Sequence, residues 1–451
     1  MAGIFKAYDI RGTYPDQVTE DIAFKVGYYF KDLLDQDDLA RGPVVVVSRD
    51  MRFHSTPLAE ALKNGLRARG VAVIDIGVCD TPQIYFGIGY LKASGGIQVT
   101  ASHNPAQYNG FKLSRRDAIP VAYDTGIEKL EGLVKGSSVD GGMPPQADQR
   151  EENVFEAYTE HVLQRYTHSE PRLKVAADAA NGMAAIYGPM LERLNIDLVP
   201  LYFDLDGTFP NHEANPLKLE NLVDLQALVI ESGSDCGVSF DGDADRAMMV
   251  DEKGQAISAD LITGLLAPRF LRDEKGAAII YDLRSSWATK EAIEEAGGVP
   301  VRERVGHSFM KATMRQHGSP FGGELAGHFY FRDNFTADSS IMTLIEVLCE
   351  MRETGKPLSE LVAPLRRYFP TGEVNFHVDD KEGMIRRLEK DFSDGEIDFV
   401  DGITVQYDDW WFNVRPSNTE PLLRLVLEAR SAELMEEKKA VLLGYLGEPE
   451  S

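Results

Sequence analysis

The chain has 451 residues, a formal net charge of −25 and an apolar share of 43%. That length exceeds a single core and points to about three or four domains, while no run approaches the ~20 apolar residues that a bilayer span requires. The acidity excludes nucleic acid, whose phosphate backbone calls for a basic surface, and an anionic substrate would need the chain's cations gathered in one place.

The opening stretch, MAGIFKAYDIRG, puts charge where a secretory signal needs an apolar run, so a cytoplasmic protein is expected. Cys79, Cys236 and Cys349 have no metal-ligand spacing and read as ordinary thiols of a reducing compartment.

One pattern then occurs three times. GPVVVVSRD (42–50), LKVAADAANG (173–182) and GAAIIYDLRSS (276–286) are apolar runs that end in charged and small residues. Each is followed by a helix-like stretch and a second apolar run: VAVIDIG (71–77), IDLVPLY (196–202) and VPVRERVGH (299–307). A third strand then empties into a polar loop: IQVTASHNP, CGVSFDGDADR or PFGGELAGH. Strands alternating with helices in this way predict an α/β fold of three related domains with largely parallel sheets. From PTGEVNFHVDD onward, a helix, alternating strands and a last helix predict a smaller C-terminal α+β domain. The expected segments are 1–147, 148–252, 253–367 and 368–451.

The loops differ in chemistry. Ser102 stands at the carboxyl end of an apolar strand, where open α/β sheets present reactive groups. Its neighbour His103 suggests a dyad, but adjacent side chains point apart and the G-x-S-x-G elbow is missing. A turn serine is the plain alternative. DGDADR sets Asp241, Asp243 and Asp245 at alternating positions, so that three carboxylates can converge on one hard cation. Glu252 falls where an EF-hand has its last ligand, yet Arg246 holds the place of the required glycine and a strand precedes the loop. In GGELAGH, Glu324 can accept from vicinal sugar hydroxyls and His328 can donate; a simple β-turn has the same composition. RPSNTEP offers Arg415, Ser417, Asn418 and Thr419 as a phosphate cradle, although Ser and Asn cap turns equally well. Arg11, Arg49, Lys112, Arg246, Arg284 and His307 fall at strand ends or in polar turns, as the net acidity demands of an anion site.

FKAYDIRG (5–12), TASHNP (100–105), DGDADR (241–246), GELAGH (323–328) and RPSNTEP (415–421), in this order, resemble the α-D-phosphohexomutase family, most closely its bacterial phosphomannomutase/phosphoglucomutase branch. The resemblance covers nearly the whole chain. It implies four domains around a central active-site cleft, a phosphoserine at Ser102, and one Mg²⁺ held by that group with Asp241, Asp243 and Asp245. It also implies sugar binding by Glu324, and binding of the non-reacting phosphate by Arg415, Ser417, Asn418 and Thr419. Tyr8, Arg11, Lys112, Arg246, Arg284 and His307 would line the cleft. Two departures stand out. Ala326 replaces the serine usual in the sugar loop, and Arg284 stands where many relatives carry lysine. An arginine does not shuttle protons at neutral pH, so Lys112 or His307 is the expected general base.

The reaction so implied interconverts hexose 1- and 6-phosphates of mannose or glucose through a hexose 1,6-bisphosphate, with glucose 1,6-bisphosphate as activator. The partners expected are small hexose phosphates, with neither nucleic acid nor membrane, in a monomer or a dimer. Phosphoglucosamine mutase is the near alternative, and Leu325 and Asn418 lean away from it. A glucose-only mutase is disfavoured by Gly327-His328. A non-catalytic sugar-phosphate sensor would not need Ser102, the three aspartates and Lys112, and a phosphatase would release inorganic phosphate without isomerising.

Overall fold

Four consecutive valines favour an extended backbone, and Val44–Arg49 forms an interior strand of a seven-stranded sheet. The computed structural model describes residues 3–417 and 422–450. Val44–Arg49 pairs in parallel with Ala72–Val78 on one side and Gly95–Val99 on the other. The 95–99 strand then turns back through the Ser102 loop into Tyr108–Arg115, which is antiparallel to it, and Ile10–Thr13 pairs antiparallel beyond. Val45, Val47, Ile97 and Val99 are fully buried in the core of this sheet, each contributing about 1.5–3 kcal/mol by leaving water.

The second repeat copies the first. Leu173–Asp178 lies between the parallel strands Ile196–Leu201 and Cys236–Phe240. The 236–240 strand turns through DGDADR into the antiparallel Ala247–Asp251. The Ser102 and DGDADR loops therefore occupy equivalent places, between the third parallel strand and its antiparallel return. Chemistry collects there because each sheet directs its parallel strand ends to one edge.

The chain divides into two compact units, Met1–Ala259 with Ala326–Leu361, and Asp260–Leu325 with Val362–Ser451. The third repeat contributes to both. Its parallel strands Ala278–Asp282, Val299–Glu303 and Phe321–Gly323 belong to the second unit. The antiparallel pair Phe329–Phe331 and Ala337–Asp338, with the helix Ser340–Thr354, belongs to the first. Also in the second unit is the C-terminal sheet, whose strands Ile403–Gln406, Trp410–Pro416 and Leu423–Ala429 are antiparallel. Helices Lys381–Asp391 and Ala432–Leu446 supply Leu388, Leu442 and Leu446 to its core.

Two helices of the first unit begin at the DGDADR turn, each with a side-chain cap. Asp80 caps Thr81–Tyr90 by accepting from Gln83 N at 2.6 Å, and Ser339 caps Ser340–Thr354 by accepting from Met342 N at 3.4 Å. Among the described residues no helix is long and apolar enough to cross a membrane.

Candidate active site

In the first unit, the end of the 95–99 strand places Ser102 in a left-handed conformation, at φ +50° and 1% exposed. Thr100 Oγ1 accepts its N–H at 3.0 Å, and Ser102 Oγ donates to Asp241 Oδ2 at 2.9 Å. The two residues are 139 positions apart in the chain. Their approach depends on Gly242, because a Cβ there would lie 2.4 Å from the Ser102 carbonyl oxygen.

DGDADR curls around its own first carboxylate. Asp241 Oδ1 accepts the backbone N–H groups of Asp245 (3.1 Å) and Arg246 (3.2 Å). Ala244 adopts φ +56°, and its carbonyl is held by Ser340 Oγ at 2.6 Å. Asp243 is fixed by Thr81, whose N–H donates to its carbonyl at 3.0 Å and whose hydroxyl donates to Oδ2 at 2.5 Å. Lys112 Nζ donates to the same Oδ2 at 2.6 Å and to Asp245 Oδ2.

The three aspartates are no more than 1% exposed, and one carboxylate oxygen of each lies within 4.8 Å of the others. Burial, reinforced by the charges of Asp245 and Asp243, pushes the Asp241 carboxyl well above its usual range. Asp243 behaves oppositely: burial would raise it, but the Lys112 ammonium outweighs burial and holds it below the ordinary range. Burial likewise opposes the Lys112 charge, yet Asp243, Asp245 and Asp241 keep the ammonium above its usual range. Asp243 Oδ1 and Asp245 Oδ1 are buried and accept no hydrogen bond among the described residues. Oxygen ligands with free lone pairs, converging in a buried turn, suit a hard divalent cation.

Arg246 donates from Nε to His328 Nε2 at 3.0 Å and lies 3.7 Å from Asp241 Oδ2; His328 Nδ1 is 2.8 Å from Asp338 Oδ2. Burial and the charges of Arg246, Arg11 and Lys112 push His103 well below the usual histidine range. Arg11 donates from Nη1 to Asn104 Oδ1 at 2.5 Å and pairs with Asp9. Tyr8 is half-buried in the bend before the 10–13 strand.

The second unit gathers a separate group of charges around Glu373. Its Oε2 accepts from Arg415 Nη2 (2.7 Å) and Arg284 Nη1 (3.2 Å), and its Oε1 accepts from Arg424 Nη1 (2.9 Å). Burial opposes the Glu373 charge, but the three guanidinium groups pull its carboxyl down to about 2. Arg284 is also gripped by Asp282, through Nη2 to Oδ2 at 2.6 Å, and lies 4.0 Å from the buried Glu324. Asp282 Oδ2 accepts the N–H of Leu325 at 2.8 Å, tying the GELAGH turn to the 278–282 strand end. Arg415 Nε is buried without an acceptor among the described residues. His307 opens the helix His307–His317 and is half-buried, and Ser417 donates its N–H to the Leu422 carbonyl at 2.8 Å. Asn418 and Thr419 lie outside the described residues.

Ser102, Lys112, Asp241, Asp243, Asp245, Arg246 and His328 thus meet in the first unit, and Arg284, Glu324 and Arg415 in the second. Sequence reasoning missed Thr81, Asp282 and Glu373. Thr81 precedes a proline, Glu373 follows a glycine and Asp282 ends an apolar strand before Leu283, so each looks like ordinary turn chemistry.

The models for phosphoglucomutase/phosphomannomutase α/β/α domains I, II and III match residues 2–138, 156–254 and 258–368, and the model for the C-terminal domain matches 373–443. A protein described as phosphohexose mutases from Xanthomonas campestris is 41% identical over 431 residues, 94% of this chain and 95% of that one. The phosphomannomutase of Escherichia coli K12 is 38% identical, over 98% of this chain and 99% of its own. Among solved structures, a phosphoglucomutase/phosphomannomutase family protein from Burkholderia thailandensis superposes with a TM-score of 0.88 at 33% identity. That alignment covers 99% of this chain and 98% of the other.

Proposed function

The chain belongs to the phosphoglucomutase/phosphomannomutase family and is a phosphohexomutase, and we propose that it interconverts hexose 1- and 6-phosphates with Ser102 as the phosphoryl carrier. The observation that carries this reading is Ser102 Oγ at 2.9 Å from Asp241, inside the turn of three buried carboxylates.

In the proposed cycle Ser102 is phosphorylated at rest. The free hydroxyl oxygen of the bound sugar phosphate attacks phosphorus, the P–Oγ bond breaks, and Oγ leaves with the electron pair. The hexose 1,6-bisphosphate so formed turns end for end and returns its other phosphoryl group to Oγ. Asp241, Asp243 and Asp245 would hold Mg²⁺, which when bound would neutralise charge on the transferring group. Lys112 and Arg246 share that work. Held charged by its carboxylates, Lys112 acts as a cationic partner of the phosphoryl group in this cycle, and His307 is the proposed proton acceptor. Arg11 and Tyr8 belong to the same set, and His328 orients Arg246 through its 3.0 Å contact.

The second unit, taken by itself, has the groups proposed for sugar and phosphate recognition. Glu324 accepts from sugar hydroxyls, while Arg415, with Ser417, Asn418, Thr419 and Arg284, binds the phosphate that is not transferred. The buried Nε of Arg415, which meets no acceptor among the described residues, supports an anion there. Arg415→Ala is expected to raise KM for hexose 1-phosphate by about 10- to 100-fold, the cost of a lost charge-assisted hydrogen bond. Its urea midpoint should stay near wild type, because Glu373 keeps Arg284 and Arg424. A collapse of the midpoint would instead make Arg415 a fold brace.

Thr81 bears on the metal. Thr81→Val keeps the size but deletes the donor to Asp243, so calorimetry should find Mg²⁺ binding about tenfold weaker, with Thr81→Ser restoring it. Equal affinities in all three proteins would remove Thr81 from the site.

Mannose and glucose are the proposed sugars, glucose 1,6-bisphosphate the proposed activator and the cytoplasm the proposed setting, the last supported by three buried, free thiols. The deciding experiment is a coupled assay on mannose 1-phosphate, glucose 1-phosphate and glucosamine 1-phosphate with a trace of the bisphosphate. Isomerisation of the first two supports the reading, preference for the third favours a glucosamine mutase, and phosphate release without isomer formation overturns transfer through Ser102.

A further inference from the structure

Arg52 and Arg415 are the largest side chains with essentially no exposure among the described residues, and the phosphoryl-transfer cycle does not use Arg52, which is 1% exposed. Burying a guanidinium is costly unless its donors are satisfied. All five of its N–H groups have acceptors: Nε reaches Asp50 Oδ2 at 3.2 Å, Nη1 the carbonyls of Pro105 (2.8 Å) and Tyr108 (3.2 Å), and Nη2 those of Ser102 (2.9 Å) and Asn104 (2.6 Å). Four of the five acceptors are backbone oxygens of one short loop, the loop that carries Ser102. Asp50 holds the fork in place, since its Oδ1 accepts the Arg52 N–H at 3.0 Å and its own N–H donates to the Val99 carbonyl at 3.0 Å. The guanidinium is therefore fixed to the end of the strand from which the loop departs.

The Ser102 carbonyl is confined on two sides. Arg52 Nη2 donates to it, and the Gly242 backbone packs so closely that a Cβ there would be 2.4 Å away. A serine at φ +50° sits in a sparsely populated region and stays there only when its surroundings require it. Here the requirement is visible: turning the Ser102 peptide away would strip a buried arginine of an acceptor. With the carbonyl fixed, Oγ is aimed at Asp241.

We infer that Arg52 is a positioning residue for phosphoryl transfer, which collects the loop carbonyls of Ser102, Asn104, Pro105 and Tyr108 so that the Ser102 oxygen is presented to the DGDADR turn in a single orientation. The inference rests on Ser102 being the carrier. Arg52 touches neither sugar nor metal in this scheme; it acts through the backbone. Its planar fork is essential, because a lysine keeps the charge but cannot span four carbonyls from one nitrogen.

The test is Arg52→Lys in the full chain, with Ser102→Ala beside it. Wild type and Arg52→Lys are compared for kcat and KM on hexose 1-phosphate, for urea midpoint, and for the ³¹P resonance of the phosphoserine after incubation with glucose 1,6-bisphosphate. A folded Arg52→Lys protein should lose about 10²-fold in kcat, the scale of a 1 Å misplacement. KM should stay within about twofold, and the phosphoserine resonance should shift or broaden. A wild-type kcat and an unchanged resonance overturn the inference, as does a loss of activity that merely follows the fraction unfolded. If Arg52→Lys does not fold, Asp50→Asn, which frees the fork without removing it, is read in the same measurements against the same outcomes. An active Ser102→Ala protein would refute the carrier role itself, whereas an inactive one beside a wild-type Arg52→Lys protein refutes only the assignment of Arg52.

Discussion

Ser102→Ala is expected to lower turnover by about 10⁴-fold or more, the scale seen when a nucleophile that forms a covalent intermediate is removed. Among the described residues, neither Lys112 nor His103 is placed to take over its role. Lys112 is held as a charged ammonium by its carboxylates, and His103, although 3.3 Å from Ser102 Oγ through Nδ1, is anchored to the same strained loop. The protein should nevertheless fold. Alanine tolerates φ +50° about as poorly as serine does, and the deleted group contributes two hydrogen bonds, to Asp241 and to His103 Nδ1. Intact mass after incubation with glucose 1,6-bisphosphate should show wild type heavier by one phosphoryl group and the variant unmodified. Full activity, or a variant that still gains a stable phosphoryl group, would exclude Ser102 as carrier.

Much of this arrangement is legible in the sequence, and the reason is topological. Parallel strands are buried on both faces and read as unbroken apolar runs, so VVVV (44–47) and its counterparts mark the repeats; the polar residues after each third strand mark the loops. Spacing also suggests that Asp241, Asp243 and Asp245 converge, because alternating residues of a tight turn can share one side. What spacing does not carry is which loop meets which. Thr81 reaches Asp243 across 162 positions and Lys112 reaches it across 131, and both approaches follow from the packing of two sheets rather than from local sequence. Glu373 stays hidden for a related reason: it is one acid after a glycine until folding brings Arg284, Arg415 and Arg424 around it. The motif marks His328 as a sugar donor, and its contacts are with Arg246 and Asp338, a second role that the motif does not disclose. Arg52 is hidden most completely, since a lone arginine after a strand resembles any solvated turn.

Asp243→Asn should weaken both metal binding and the metal-free fold, and the two losses have separate readouts. Three buried carboxylates face the two cations Lys112 and Arg246, and their mutual repulsion adds to burial in pushing Asp241 upward. Lys112 holds Asp243 below the ordinary carboxylate range, so its charge stabilises the fold, and the metal-free variant should be less stable than metal-free wild type, because Lys112 loses one of its partners. The metal-binding side loses more. Asp243 Oδ1 is a buried oxygen without a donor among the described residues, and an amide offers either a weaker, uncharged oxygen or an N–H pointing at the cation's place. The Mg²⁺ concentration for half-maximal activity should rise by about a hundredfold or more, since a direct ligand matters at least as much as the outer partners whose loss costs about 10–100-fold. The melting temperature supplies a readout independent of turnover. Saturating Mg²⁺ should raise it in wild type, because a ligand bound only by the folded state adds RT ln(1 + [L]/Kd) of stability, and the same addition should raise it little in the variant. An unchanged Mg²⁺ titration together with an undiminished thermal shift would mean that Asp243 serves only to anchor Lys112 and Thr81.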